Sequence, residues 1–378
     1  MGNLNLVKEM PKKLGFGCMR LPIRDGKSEC IDLEQFKRMA DAYLEKGFVY
    51  FDTAYPYHNE KSEEAVKKCV VERYDRDKFL LADKMPVWLV KEEKDYQPIF
   101  ERQLERCGVE YFDFYLLHAL DAGRVKELDA TNGWAFAKRV KEEGKVRNIG
   151  FSFHDSAEVL EDILKNHPEM DFVQLQINYY DWESNNVQSR KCYEVAEKYH
   201  MPVIVMEPIK GGTLANVIGE PANLLRSLDD KASFASYAIR FAASLPNVMV
   251  VLSGMSNEEQ LLDNLSYMED FKPLSEVEKK TIEQVCEELS KLIRIECTKC
   301  RYCVEGCPMH IEIPELFGLY NLAMQFGVTD SMKGNYNWNT SRGGKASTCI
   351  KCGKCEQHCP QHLTIRELLE TVAETFEK

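Results

Sequence analysis

The stretch FVYFDTAYPYHNE, residues 48–60, sets the terms for the rest of the chain. It begins as an apolar run rich in Phe, Val and Tyr, short enough for a strand. It ends on Asp52 and passes into a loop carrying Tyr57. The same sequence of events recurs along the first 275 residues. Apolar runs stand at 14–19, 48–54, 79–84, 112–118, 148–153, 172–178, 202–208 and 248–254. Most lack polar alternation, as expected of a parallel sheet covered on both faces. Amphipathic segments separate them. In DLEQFKRMADAYLEKG, Leu33, Phe36, Ala40, Tyr43 and Leu44 share one face and Gly47 ends the helix; ASFASYAIRFAASLP, closed by Pro246, reads the same way. Eight strand–helix units at roughly 30-residue spacing predict a (β/α)8 barrel. A doubly wound open sheet is the alternative, but no G-x-G-x-x-G turn follows the first strand.

Polar residues end nearly every run: Asp52, Lys84, His118, Ser152, Gln176 with Asn178, Glu207 and Ser253. In a barrel those ends share the rim where sites are built. A phenol has an ordinary pKa of about 10, high for a proton donor at neutral pH. A neighbouring ammonium is expected to lower it. Lys84 can supply that charge to Tyr57, Asp52 can hold Lys84 charged, and His118 can orient a carbonyl oxygen. This is equipment for protonating a carbonyl oxygen while hydride reaches its carbon.

These residues carry a resemblance. Asp52, Tyr57, Lys84 and His118, with KLGFGCMRLP, DTAYPYHNE, FDFYLLH, VRNIGFSF and VQLQINYY, resemble the aldo-keto reductases over roughly residues 10–270. The resemblance implies a barrel that binds a nicotinamide dinucleotide without a Rossmann fold. It makes Tyr57 the general acid, tuned by Lys84 and Asp52, with His118 on the substrate. It further implies cofactor contacts at Ser152 and Gln176 (carboxamide), Met206 (ring), and Gly211, Gly212, Gly254, Ser256 and Asn264. Ser256 with Glu259 also reads as a capping box. SGMSNEEQLLDN, 253–264, has no Lys or Arg, and Gln260 stands where family members that prefer NADP place a basic residue. NAD(H) is therefore expected over NADP(H). The aromatics of the rim loops (Trp88, Tyr96, Tyr180, Trp182) are expected to form an apolar wall.

The chain has 14 cysteines. The opening MGNLNLVKEMPKK shows no secretory signal and no run is long enough to span a bilayer, so a cytoplasmic protein is expected, and structural disulfides are not. Six cysteines are scattered and read as small buried hydrophobes. The other eight fall into two runs: CTKCRYCVEGCP (Cys297, Cys300, Cys303, Cys307) and CIKCGKCEQHCP (Cys349, Cys352, Cys355, Cys359). Zinc would suit C-x2-C pairs. A triplet plus a fourth cysteine followed by Pro is instead the two-cluster ferredoxin pattern, in which the fourth cysteine serves the other cube. Cys297, Cys300, Cys303 and Cys359 then hold one [4Fe–4S] cluster, and Cys349, Cys352, Cys355 and Cys307 the second. The spacing of the runs and the amphipathic IPELFGLYNLAMQF and TIRELLETVAETFEK give the module the look of a helical ferredoxin. MKGNYNWNTSRGGKAS, 332–347, reads as a loop.

The expected organisation is a barrel over 1–274, a linker helix over 275–296 and an iron–sulfur domain over 297–378. A net charge of −12 excludes a general nucleic-acid or anionic-membrane binder. The expected activity is hydride transfer between a nicotinamide and a small carbonyl-like or activated-alkene substrate, with the clusters relaying electrons to or from a redox protein. A flavin could join two-electron to one-electron chemistry, although no flavin motif is seen. The alternative is an electron-transfer or sensing protein whose barrel docks a partner or nucleotide.

Overall fold

The computed structural model describes residues 5–341 and 343–378. These form two compact units. The first comprises residues 5–210 and 235–275, the second 211–234 and 276–378.

In the first unit, eight parallel strands close into a barrel in sequence order. They are β1 (Leu14–Gly17), β2 (Tyr50–Asp52), β3 (Leu80–Met85), β4 (Phe112–Leu120), β5 (Val146–Phe153), β6 (Phe172–Gln176), β7 (Val203–Met206) and β8 (Val248–Ser253). β1 pairs with both β2 and β8, which completes the ring. The helix at Leu33–Glu45 begins where Asp32 accepts a hydrogen bond from the Gln35 N–H at 3.2 Å, satisfying one of the donors a helix start leaves open.

Strand side chains alternate with a period of two, and this alternation builds the site. One set packs outward against the helices, as Phe16, Phe51, Tyr115, Phe151 and Val173 do. The other set fills the barrel with Tyr50, Ala82, Phe114, Leu116, Phe172, Ile204 and Val250. Leu6, on the short helix Asn5–Glu9, joins that filling. Two residues beyond Tyr50, Ala82, Leu116 and Ile204 stand Asp52, Lys84, His118 and Met206. The register that seats the apolar plug therefore places the polar set at the C-terminal rim. Above β2 three successive non-glycine residues, His58, Asn59 and Glu60, have φ of 54°, 51° and 65°. Such conformations are costly for residues with a Cβ and persist where surrounding contacts hold them.

The second unit is helical. Gly219–Leu228 packs on Glu276–Ser290. The helix expected to be a linker, together with the segment following β7, thus belongs to this unit. The segment read as a loop is largely the helix Asp330–Ser341. Met332, Tyr336 and Thr340 are buried at a four-residue spacing, and Tyr336 stacks on Phe376 with centroids 5.1 Å apart. Tertiary burial outweighs the poor helix propensity of its Gly and Asn residues.

The two cysteine runs are structural copies offset by 52 residues. Short helices Tyr302–Glu305 and Lys354–Gln357 precede the longer Ile313–Phe326 and Ile365–Phe376. Left-handed residues recur at matching places: Lys299 and Lys351, Arg301 and Gly353, His310 and His362. Of the scattered cysteines, Cys18, Cys69, Cys107 and Cys192 are buried as expected, while Cys30 and Cys286 are half-buried.

Candidate active site and cluster sites

Lys84 is fully buried at the end of β3. Its Nζ donates to Asp52 Oδ1 at 2.5 Å, to the Thr53 carbonyl at 2.8 Å and to the Tyr57 hydroxyl at 3.3 Å. An ammonium with three donors and three acceptors has no rotational freedom left. Asp52 is also approached by Gln174 Nε2 at 3.5 Å. Burial opposes charge on Lys84, but Asp52 and then Tyr57 outweigh it and raise its pKa above the ordinary lysine value. Burial likewise raises Asp52 from its usual range, against the pull of Lys84.

The tyrosine departs from expectation. Burial raises the Tyr57 phenol above its ordinary value; Lys84 lowers it, but Asp52 raises it further. Desolvation of a prospective phenolate exceeds the attraction of an ammonium whose charge is shared with a carboxylate. Tyr57 therefore stands as a neutral hydroxyl donor. His118 is neutral too, pushed well below the usual histidine value by burial and then by Lys84. Its Nδ1 is buried and has no hydrogen-bond partner among the described residues. The Tyr57 and His118 rings meet edge-on at 6.3 Å, and Trp88 lies 5.2 Å from the imidazole. Of the four expected wall aromatics, Trp88 borders these residues. Tyr96 is a core residue stacked on Phe136, Trp182 packs on Tyr193 and Phe241, and Tyr180 lies under Lys210.

His58 anchors the strained loop that carries Tyr57. Its Nδ1 donates to the Ser28 carbonyl at 2.7 Å, and its Nε2 accepts from the Leu21 N–H at 3.0 Å. The second bond requires an unprotonated Nε2, and burial lowers the His58 pKa. A histidine with a depressed folded-state pKa contributes stability that is complete above the unfolded value of about 6.5 and is lost as pH falls below it. The barrel transition should accordingly melt at lower temperature as pH drops from 7 toward 5, by about 2–4 °C for each kcal/mol lost at this size. Scanning calorimetry on His58→Gln should show a shallower dependence. His118 and His154, also lowered, keep some slope; identical slopes in the two proteins would contradict the anchoring role.

Ser152 and Gln176 end β5 and β6. The Ser152 Oγ accepts from the Ala119 N–H at 2.7 Å, leaving its O–H free to donate. Gln176 Nε2 donates to Asp181 at 3.3 Å, leaving its Oε1 free to accept. A primary amide needs one donor and one acceptor, and these two strand ends supply one of each. Met206 is half-buried at the end of β7. Gly254 is packed by Arg20, since a Cβ there would lie 3.2 Å from that side chain. Ser256 Oγ donates to the Arg20 carbonyl at 3.0 Å. The expected capping box is replaced: Asn257 caps the helix Glu258–Met268 and accepts from the Gln260 N–H, while the Gln260 side chain binds the Ser256 N–H. The Asn264 amide is spent on Ser253 at 2.6 Å and Tyr267 at 2.5 Å. Gly211 and Gly212, with φ of 64° and 96°, lie in the second unit.

Several residues escaped the sequence reading. Gln174 shares the inward face with Gln176, and the period-two rule could have found it. Behind β3 a buried group formed by Glu63, Asp83, Gln103 and Arg106 clamps the backbone of Lys84: Asp83 accepts its N–H and Gln103 donates to its carbonyl. Arg106 pairs with Glu63. Burial, and then Glu63, raises Asp83 well above the carboxylate range. Arg38, far away in sequence, pairs with Glu258 at 2.6 Å.

Residues 13–287 match the family model described as Aldo/keto reductase family. The chain belongs to the aldo/keto reductase family. It is an oxidoreductase of that family with a C-terminal 4Fe-4S dicluster domain, matched over residues 296–364. The barrel is similar to a 9,11-endoperoxide prostaglandin H2 reductase of Trypanosoma cruzi (25% identical over 252 residues, 65% of this chain and 80% of that protein). It is also similar to a glyoxal reductase of Bacillus subtilis (30% over 128 residues, 32% and 42%). In fold it resembles aldo-keto reductases from Bacillus halodurans, holo form, and from Klebsiella pneumoniae in complex with NADPH. Both superpose with a TM-score of 0.57 over 72% of this chain, at 22% and 18% identity and 91% and 90% of their own lengths.

In the second unit of this reductase, two small cavities of about 20 Å³ each lie among the cysteines. One is lined by Cys297, Cys300, Cys303 and Cys359, the other by Cys307, Cys349, Cys352 and Cys355. Each run thus contributes three cysteines to one cavity and its fourth to the other. Among the described residues no three His, Cys, Asp or Glu side chains gather closely enough to share one metal ion. Four cysteines lining one volume suit a four-iron cube, in which each thiolate takes its own iron. Ile311, Ile313, Ile350 and Leu369 also line the second cavity, with Lys354 and Arg366 beside them, and such a surround governs solvent access to a cluster.

Proposed function

We propose that this oxidoreductase reduces carbonyl compounds with hydride from a nicotinamide dinucleotide, and that its C-terminal domain holds two [4Fe–4S] clusters exchanging electrons with a redox protein. The observation that carries the first part is Lys84 Nζ, held 2.5 Å from Asp52 and 3.3 Å from the Tyr57 hydroxyl at the open end of the barrel. A nicotinamide seated by Ser152 and Gln176 would supply the hydride. Tyr57, protonated in the resting site, donates its O–H to the carbonyl oxygen as the carbon–hydrogen bond forms. The phenolate left behind is stabilised by Lys84, whose charge Asp52 maintains. His118, neutral, hydrogen-bonds the same oxygen through Nε2 and fixes its position. Preorganised donors of this kind act where charge develops.

The ligands of the clusters are the two crossed cysteine sets. When bound, the clusters supply single-electron transfer. Joining it to a two-electron hydride calls for a flavin or for both clusters acting in turn. Support for NADH over NADPH comes from Glu258 and Glu259, because a 2′-phosphate would have to displace Glu258 from Arg38.

The test is anaerobic steady-state oxidation of NADH and NADPH with a panel of aldehydes and ketones. Turnover with NADH at higher kcat/KM is expected. A tenfold advantage for NADPH would overturn the cofactor preference, and absence of turnover with either nucleotide would overturn carbonyl reduction.

A further inference from the structure

Directly after His118, β4 departs from regular pairing: its register against β5 shifts between Leu117 and Leu120, and Ala119 adopts φ 59°. An alanine in the left-handed region is strained. The irregularity turns the Ala119 carbonyl toward Arg124, whose Nη1 donates to it. That contact seats the Arg124 guanidinium 5.7 Å from the Trp88 ring centroid, on the same indole that borders His118. Arg124 is one-third exposed. Among the described residues its Nε and Nη2 donate to no acceptor.

The nearby carboxylates do not cancel this charge by close pairing. Asp121 lies 3.7 Å from Arg124, but it caps the helix Ala122–Thr131 and accepts from the Gly123 and Arg124 N–H groups at 2.9 Å. Asp155 accepts from Ala122 and Ser156. The positive field reaches inward: Lys84 and Arg124 both oppose protonation of His118, after burial, and Arg124 does the same at His154. Lys84 is fully committed, whereas Arg124 keeps open donors on the indole that borders His118.

We propose that Arg124 binds a carboxylate on the substrate, and that the compound reduced is a carbonyl acid whose chain or ring lies along Trp88. This rests on the reading of the site as a carbonyl reductase and adds the class of its substrate. An arginine offers two parallel N–H groups to a carboxylate, and such charge-assisted contacts are stronger than neutral ones.

The test compares 4-carboxybenzaldehyde with methyl 4-formylbenzoate, which is similar in size and reactivity but uncharged, using the full-length chain with its clusters. The acid should be reduced with kcat/KM roughly tenfold higher, the size of one charge-assisted hydrogen bond. In Arg124→Gln that ratio should fall to about one, mainly through KM, and Arg124→Lys should restore part of it. Equal ratios in wild type and Arg124→Gln would overturn the proposal. Binding of terephthalate, followed by calorimetry, judges the site independently of turnover. Its Kd should weaken roughly tenfold in Arg124→Gln, and an unchanged Kd or no binding to wild type would also overturn it. If neither aldehyde turns over while terephthalate binds through Arg124, carbonyl reduction fails and the anion site stands.

Discussion

Tyr57→Phe should lower carbonyl reduction by about 10²–10⁴-fold, the range removed with a positioned general acid, while the visible absorbance of the iron–sulfur domain stays the same. This substitution is cleaner than changes to its neighbours. Among the described residues the Tyr57 hydroxyl bonds to Lys84, and its ring remains in place as Phe. Lys84→Met would strand Asp52 as an unpaired buried carboxylate, and breaking such a pair costs about 3–5 kcal/mol. A loss of activity there would mix misfolding with chemistry. Because burial holds the Tyr57 pKa above its ordinary value of 10, the acid stays protonated throughout the neutral range. The rate of reduction should therefore show no basic limb from this group below about pH 10. Unaltered turnover in Tyr57→Phe would remove Tyr57 from the chemistry.

The second large effect concerns iron. If the ligand sets cross as the cavities arrange them, Cys300→Ser with Cys359→Ser damages one cluster and spares the other, so about half of the iron and sulfide is lost. Cys300→Ser with Cys307→Ser strikes both clusters and should leave the protein nearly colourless. Were each run to serve its own cube, the two double variants would exchange outcomes. Iron, acid-labile sulfide and flavin measured on anaerobically purified protein decide among these, and the same flavin measurement shows whether a flavin mediates between hydride and single electrons.

What the sequence made legible follows from what repeats in it. Eight apolar runs with polar ends fix the number of strands and, through the period of two, the face on which Asp52, Lys84 and His118 stand. The doubled cysteine spacing was equally plain. Features depending on contacts remote in sequence were not. Arg38 reaches Glu258 across 220 positions, and scanning 253–264 for basic residues could not find it. The lowered Tyr57 pKa was expected from one neighbour, but the net effect depends on burial, which spacing does not report. Helix Asp330–Ser341 was hidden by Gly and Asn, although its Met332, Tyr336, Thr340 stripe was available to a pattern search. Arg124 sits in a helix with an undistinguished pattern; the strained Ala119 that aims it shows only in the backbone.

If the fourth cysteines cross between the clusters as proposed, the order of synthesis constrains biogenesis. During synthesis the ribosome delivers Cys297, Cys300, Cys303 and Cys307 first, yet under the crossed assignment that quartet closes no cube. The earliest complete set appears once Cys355 has emerged, and the other once Cys359 has. Cluster delivery would then wait for nearly the whole of both repeats, and a nascent chain arrested between them would offer scaffold proteins only partial sites.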